Sequence, residues 1–142
     1  MLKSDRLIIL IFLIIRIEGT RGDTIHHSRL AKEKKEAALD EFKKGRYTVV
    51  GDLSLKAVEQ AIEAVAAKSE KHFHMSPRTA HAERVKWAKA VFPEIAADLD
   101  TIWGAYGDLG YDGLDGKRAK EAVDAMERIL NELEKRTKLR IR

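Results

Sequence analysis

Residues 45–71 read GRYTVVGDLSLKAVEQAIEAVAAKSEK. At 100° per residue, Asp52, Lys56, Glu59 and Glu63 fall on one narrow line. The rest of the circumference is apolar or small: Tyr47, Val50, Leu53, Ser54, Leu55, Ala57, Val58, Ala61, Ile62, Ala64 and Val65. A helix wet on one thin stripe and dry elsewhere is surrounded by other helices. The pattern therefore predicts the central helix of a bundle. Ser54, Ala57, Ala61 and Ala64 cluster on one side, where small side chains let a neighbour approach closely.

The same reading predicts the other helices. A first begins near His27–Ser28, with Ser28 as N-cap, and runs to Lys44 with Leu30, Ala31, Ala37, Ala38 and Phe42 inward. Gly45 ends it, and the turn into Arg46–Tyr47 is short enough to make the two helices antiparallel neighbours. Ser76–Pro77 opens a third helix over residues 78–91, presenting Val85, Ala88 and Phe92 with Trp87 beside them. Pro93 breaks it. A fourth follows over 94–106 with Ile95, Leu99, Ile102 and Trp103 inward. The glycines and aspartates of residues 107–116 (GDLGYDGLDG) predict a loop. The last helix, 117–137, has Asp115 as N-cap and a clean stripe of Ala119, Ala122, Val123, Met126, Ile129, Leu130 and Leu133. The expectation is an all-α, antiparallel up-and-down bundle of four to five helices over residues 25–142.

Residues 1–24 form a separate arm or appendage. Their apolar run LIILIFLII (7–15) is flanked by Lys3, Arg6 and Arg16. It is too short to span a bilayer, which takes about 20 helical residues. The basic start resembles a signal peptide, but no small-x-small cleavage site follows, and Arg16 and Glu18 arrive early. An arm packed on the bundle or on a second copy, and an appendage outside the domain, are the other two readings. The chain is expected to be cytoplasmic.

Composition narrows the chemistry. At 142 residues and 44% hydrophobic content, the chain is one domain able to bury a core. With no cysteine there is no disulfide framework, thiolate nucleophile or Cys-type zinc site. One Asn (Asn131) and one Gln (Gln60) against 35% charged residues is a thermophile pattern. A net charge of +4 is mildly basic, and only the tail Lys135, Arg136, Lys138, Arg140 and Arg142 forms a local run. End-of-helix cations suit the helix dipole, so a solvated C-terminal fray is the plain reading of that tail. No Walker loop, GxGxxG, GxSxG or HExxH is present, and no cofactor is expected.

Three groups of side chains are candidates for a site. His72, His74 and His81 include a His-x-His spacing that suits a metal on an extended stretch. On a continuing helix i and i+2 point apart, and no carboxylate stands at ligand spacing, so no metal is expected. His26 and His27 are assigned no chemical role. Trp103, Tyr106 and Tyr111 stand beside Asp108, Asp112 and Asp115, a combination that suits a cationic or base-like ligand, or else core-edge aromatics with capping aspartates. Arg78, Arg84, Lys86 and Lys89 with His81 and Trp87 make the third helix basic and partly aromatic, as single-stranded nucleic acid requires. Glu83 dilutes that patch, and a solvated face is its alternative. The ligand-binding set taken from these groups is Arg78, His81, Arg84, Trp87, Trp103, Tyr106 and Tyr111.

The order of elements resembles a known family. A long helix ending in Gly45-Arg46-Tyr47 leads at once into the Ala-rich AVEQAIEAVAAK (57–68). Next come a shorter helix opened by His81, a broken helix with Trp103 and Tyr106, a glycine-containing loop and a final amphipathic helix. This resembles the HEPN family (higher eukaryotes and prokaryotes nucleotide-binding domain), its small archaeal members in particular, over about residues 28–136. The family includes metal-independent RNases and proteins that partner nucleotidyltransferases in toxin–antitoxin operons. The resemblance implies a homodimer, RNA or nucleotide as ligand, and a nucleotidyltransferase as partner. Active members carry Arg-x4–6-His near the turn before the last helix. Residues 105–115 contain neither Arg nor His, Arg21-x4-His26 lies before the first bundle helix, and Arg78-x2-His81 is too short. The expectation is thus a non-catalytic HEPN-like domain binding RNA, a nucleotide or a partner protein. One alternative is an endoribonuclease with a rearranged set of Arg78, His81 and Arg84, the imidazole as general base and the guanidinium groups stabilising the phosphorane. The other is a structural or membrane-surface module anchored through residues 7–15.

Overall fold

The computed structural model describes residues 23–112 and 115–141. The apolar run at 7–15, with the readings attached to it, lies outside the described residues. Among the described residues five helices follow one another: α1 (Thr24–Lys43), α2 (Tyr47–Ala67), α3 (Ala80–Val91), α4 (Ala96–Asp112) and α5 (Gly116–Thr137). One-turn 3-10 segments, Phe73–Met75 and Pro93–Ile95, precede α3 and α4. No strand occurs among the described residues. The architecture is the all-α bundle that the pattern predicts.

The turn at Gly45 sets the first pairing. Arg46 N–H bonds to the Glu41 carbonyl at 3.0 Å and Gly45 N–H to that of Phe42 at 3.1 Å. That pair of bonds is a Schellman motif, which needs a left-handed residue just past the helix, and Gly45 supplies it with φ of 74°. The reversal lays α1 along α2. Asp23, five residues before the predicted Ser28, is the N-cap of α1, its carboxylate accepting from His26 N–H at 2.6 Å. The Ser28 hydroxyl instead donates back to the Thr24 carbonyl inside the helix.

α2 is the central helix, packed on α1, α4 and α5. Ser54, Ala57, Ala61 and Ala64 are fully buried, as the small-residue side requires. Gly51 makes the closest approach: a Cβ there meets the Ala105 carbonyl oxygen at 3.0 Å and Tyr106 Cα at 3.2 Å. Both are backbone atoms of α4 and cannot swing aside. Gly51→Ala is therefore expected to lose about 1–3 kcal/mol by overpacking, outweighing the roughly 1 kcal/mol of helix propensity it gains. A midpoint in urea that rises on substitution refutes this.

The polar stripe of α2 is wet only at its start. Asp52 and Lys56 are exposed, but Glu59 and Glu63 are buried, at 7% and 1% exposure. This corrects the prediction of a solvated line, because α3 faces them with a buried arginine. The inner row of α3 is Ala80, Arg84 and Ala88, while Val85 is only partly buried.

Two helix ends also differ from the sequence reading. Ser76 and Pro77 form a turn, not a cap: the Ser76 carbonyl accepts from Thr79 and Ala80 N–H, and α3 starts at Ala80. α4 starts at Ala96, after the 3-10 turn, and continues to Asp112 through most of the predicted loop. The apolar row Ile102, Ala105, Leu109 extends past Tyr106, and burial of Leu109 at 1% exposure offsets the roughly 1 kcal/mol each that Gly107 and Gly110 cost a helix. Asp115 caps α5 as predicted, accepting from Arg118 N–H at 3.1 Å.

α5 ends at Thr137, and the C-cap Lys138, with φ of 58°, turns the chain back. Leu139 and Ile141 are then buried at 5% and 1% exposure. The tail is docked rather than frayed, contrary to the plain reading of its basic run.

Candidate functional site

Two places in the fold gather chemistry-bearing residues. The first is inside, between α2 and α3. Glu59 and Glu63 stand one helical turn apart on α2 and so share a face. Arg84 of α3 inserts between them. Its Nε and Nη2 donate to Glu63 Oε1 at 3.1 and 3.0 Å, and Nη1 donates to Glu59 Oε2. Lys56 reaches Glu59 Oε1 at 3.1 Å from the exposed edge. Three imidazoles surround this core. His81 Nδ1 meets Glu59 Oε2 at 3.3 Å, His74 Nδ1 meets Glu63 Oε2 at 3.1 Å, and His27 Nδ1 meets Gln60 Oε1 at 2.7 Å. Burial is the largest influence on His27 and pushes its pKa below the ordinary imidazole value. The Gln60 bond opposes that shift and the His74 ring adds to it.

The arrangement changes what each predicted site residue can do. Arg84 is satisfied by two carboxylates and walled off from solvent, so it cannot meet a phosphate. Lys89 pairs with Asp100 at 2.6 Å, which leaves Arg78 and Lys86 as the exposed cations of the proposed basic helix. Trp87 packs between Phe73 and Phe92, ring centroids 5.8 and 6.0 Å away, as part of the core edge. The His81 ring stands edge-on to Trp103 at 3.8 Å, and Trp103 lies 5.7 Å from Tyr106. His81, Arg84, Trp103 and Tyr106 thus converge. Tyr111, 88% exposed near the end of α4, does not join them. The histidine grouping also differs. His74 is brought to His27 and Glu63, not to His81, and His72 is only a ring neighbour of His74 at 5.9 Å. Sequence spacing could not show this, because Glu63 and His27 come from other helices.

The second place is a groove of about 310 Å³ at the end of the bundle where α1 starts and α5 finishes. Arg29 and Lys32 from α1, Lys68 from the end of α2, and Lys138 and Arg140 from the tail line it. Its other walls are Thr24, Ile25, Ser28 and Leu139, with no carboxylate. Lys68 Nζ is held to the Thr137 carbonyl at 2.7 Å, and Lys32 has a loose partner in Glu36 at 3.8 Å. The predicted set missed this groove entirely. Its cations lie far apart in sequence, and only the docked tail brings them together.

No helix among the described residues is long and apolar enough to cross a membrane. No protein-family model, curated protein or solved structure matches the chain.

Proposed function

We propose that this chain is a non-catalytic, HEPN-like helical domain that binds RNA through phosphate contacts in the groove at the α1–α5 end. The observation that carries the reading is the convergence of five cations from three segments around one groove free of carboxylates. Neutralising backbone phosphates is the dominant source of affinity in such binding. The groove walls hold no aromatic ring, so recognition rests on the backbone and is tolerant of sequence. The order of helices, as in HEPN domains, agrees with this reading and implies a homodimer.

The rearranged nuclease is disfavoured by the state of Arg84. Its charge is spent on Glu59 and Glu63, and His81 faces Glu59 rather than an open cleft with a free guanidinium.

Titration with a single-stranded RNA oligonucleotide at two salt concentrations tests the proposal. With three to five phosphates engaged, affinity should fall about 20- to 100-fold between 50 and 200 mM salt. Arg29→Gln combined with Lys138→Gln should flatten that slope by about one unit or more, and Arg78→Gln combined with Lys86→Gln should leave it unchanged. Binding that is absent at low salt, or that follows Arg78 and Lys86 instead, refutes the assignment.

A further inference from the structure

The three residues His27, Glu63 and His74 come from α1, α2 and the first 3-10 turn. Each can offer one ligand atom, with no two of those atoms farther than 4.8 Å apart. We propose that they form a binding site for a divalent transition-metal ion of the zinc class, independent of the RNA groove.

Four features carry this. His27 is 3% exposed, yet its Nε2 is buried with no hydrogen-bond partner. A buried imidazole nitrogen left bare is costly unless something meets it. Its other nitrogen is fixed: Gln60 Oε1 accepts only, so Nδ1 carries the proton and Nε2 carries the lone pair. This is how metal-binding imidazoles are held, with the second nitrogen donating to an oxygen that sets tautomer and ring orientation.

Glu63 is prepared in the same manner. Arg84 occupies Oε1 and leaves Oε2 to face His74 Nδ1 at 3.1 Å. That separation is close to the edge of about 3.3 Å that a tetrahedral ion with bonds near 2.0–2.1 Å requires. An ion would replace the proton those two atoms share. The widest ligand separation must close by about 1.5 Å to reach the same edge. His74 sits on a one-turn segment with its side chain 24% exposed, so it is the ligand with room to adjust.

Charge points the same way. Among the described residues Arg84 is the only buried Lys or Arg, and Glu59 and Glu63 share it; Glu59 has Lys56 as a second cationic partner, whereas Glu63 has no second Lys or Arg. A cation at Glu63 Oε2 gives Glu63 a second positive partner, as Lys56 gives Glu59. Two imidazoles and one carboxylate also leave an ion with an open position, unlike a closed four-ligand structural site.

The test uses the full chain, freed of metal by a chelator and titrated with Zn2+ by calorimetry and with Co2+ by visible absorption. One equivalent should bind per chain, with cobalt giving the d–d bands of a low-coordinate site. His74→Gln and His27→Gln should each weaken binding at least tenfold. Gln60→Leu should weaken it about 10- to 100-fold through loss of the orienting bond. His81→Gln, on the Glu59 side of the cluster, should leave it unchanged. Zn2+ should raise the melting temperature of the parent chain and not that of His74→Gln. Should His27→Gln fail to fold, His74→Gln on its half-exposed turn carries the decision. No saturable uptake of either ion, or uptake undiminished in His74→Gln, overturns the proposal.

Discussion

Arg84→Met should lower stability by about 3–5 kcal/mol, the largest single loss expected in this chain. Methionine matches much of the arginine stem in shape, so the effect isolates the guanidinium. Removing it leaves the carboxylates of Glu59 and Glu63, with side chains 10% and 1% exposed, one turn apart and without their shared partner. Lys56 still reaches Glu59 from the surface, but Glu63 keeps only His74. Each kilocalorie shifts the melting temperature of a domain this size by about 3–4 °C, so a drop of roughly 10–20 °C should follow. Chemical denaturation with an unchanged m-value is the appropriate measure. A companion variant separates the burden of unpaired charge from the net contribution of the ion pairs. Arg84→Met with Glu59→Leu and Glu63→Leu removes the whole cluster and should regain most of the loss, since replacing a buried ionic triad by apolar groups is often neutral or stabilising. A loss below about 1 kcal/mol in the single variant contradicts the buried network described above. A triple variant as unstable as the single one shows that the cluster contributes net stability.

This cluster also marks where the sequence stops being legible. Within a single helix, periodicity reports which residues share a face, and it groups Glu59 and Glu63 correctly. It does not report what stands opposite. A two-carboxylate face reads as solvated until an arginine from another helix is known to oppose it. Arg84, between Ala80 and Ala88, carries no local signal of burial beyond those two alanines. The features that local chemistry dictates were readable: the Gly45 reversal, the Asp115 cap, and the α5 stripe from Ala119 to Leu133, all of whose residues are buried. The length of α4 was not, because Gly107 and Gly110 signal a break that the burial of Leu109 overrides. The predicted ligand set drew on α3 and the start of the glycine-rich segment. The basic third helix behind that set dissolved because two of its four Arg and Lys residues, Arg84 and Lys89, are paired to acids outside their own helix. The groove escaped notice for the converse reason. A tail of alternating basic and apolar residues looks like a fray unless Leu139 and Ile141 are seen to dock.

Leu139→Ser combined with Ile141→Ser should weaken RNA binding by about tenfold or more while leaving every cation of the groove in place. The two side chains are 5% and 1% exposed, and burying a leucine or isoleucine contributes about 1.5–3 kcal/mol each. Losing both removes what holds the last residues against the bundle, and Lys138 in a left-handed conformation has little else to maintain it. The tail then leaves, taking Lys138 and Arg140 away from Arg29, Lys32 and Lys68. Net charge is unchanged, so a simple dependence on total charge predicts no effect. The helices should persist, because the α5 row from Ala119 to Leu133 also packs on α2 and α4, and far-ultraviolet circular dichroism should change little. Lys138→Gln with Arg140→Gln provides the comparison: it keeps the tail docked and removes its charge. If placement of the cations matters, the two double variants weaken binding to a similar extent, and the serine pair alone loses stability, by about 3–6 kcal/mol. If the serine pair binds RNA as tightly as the parent chain, cations held in one groove are not what this domain uses, and the affinity must come from a different face.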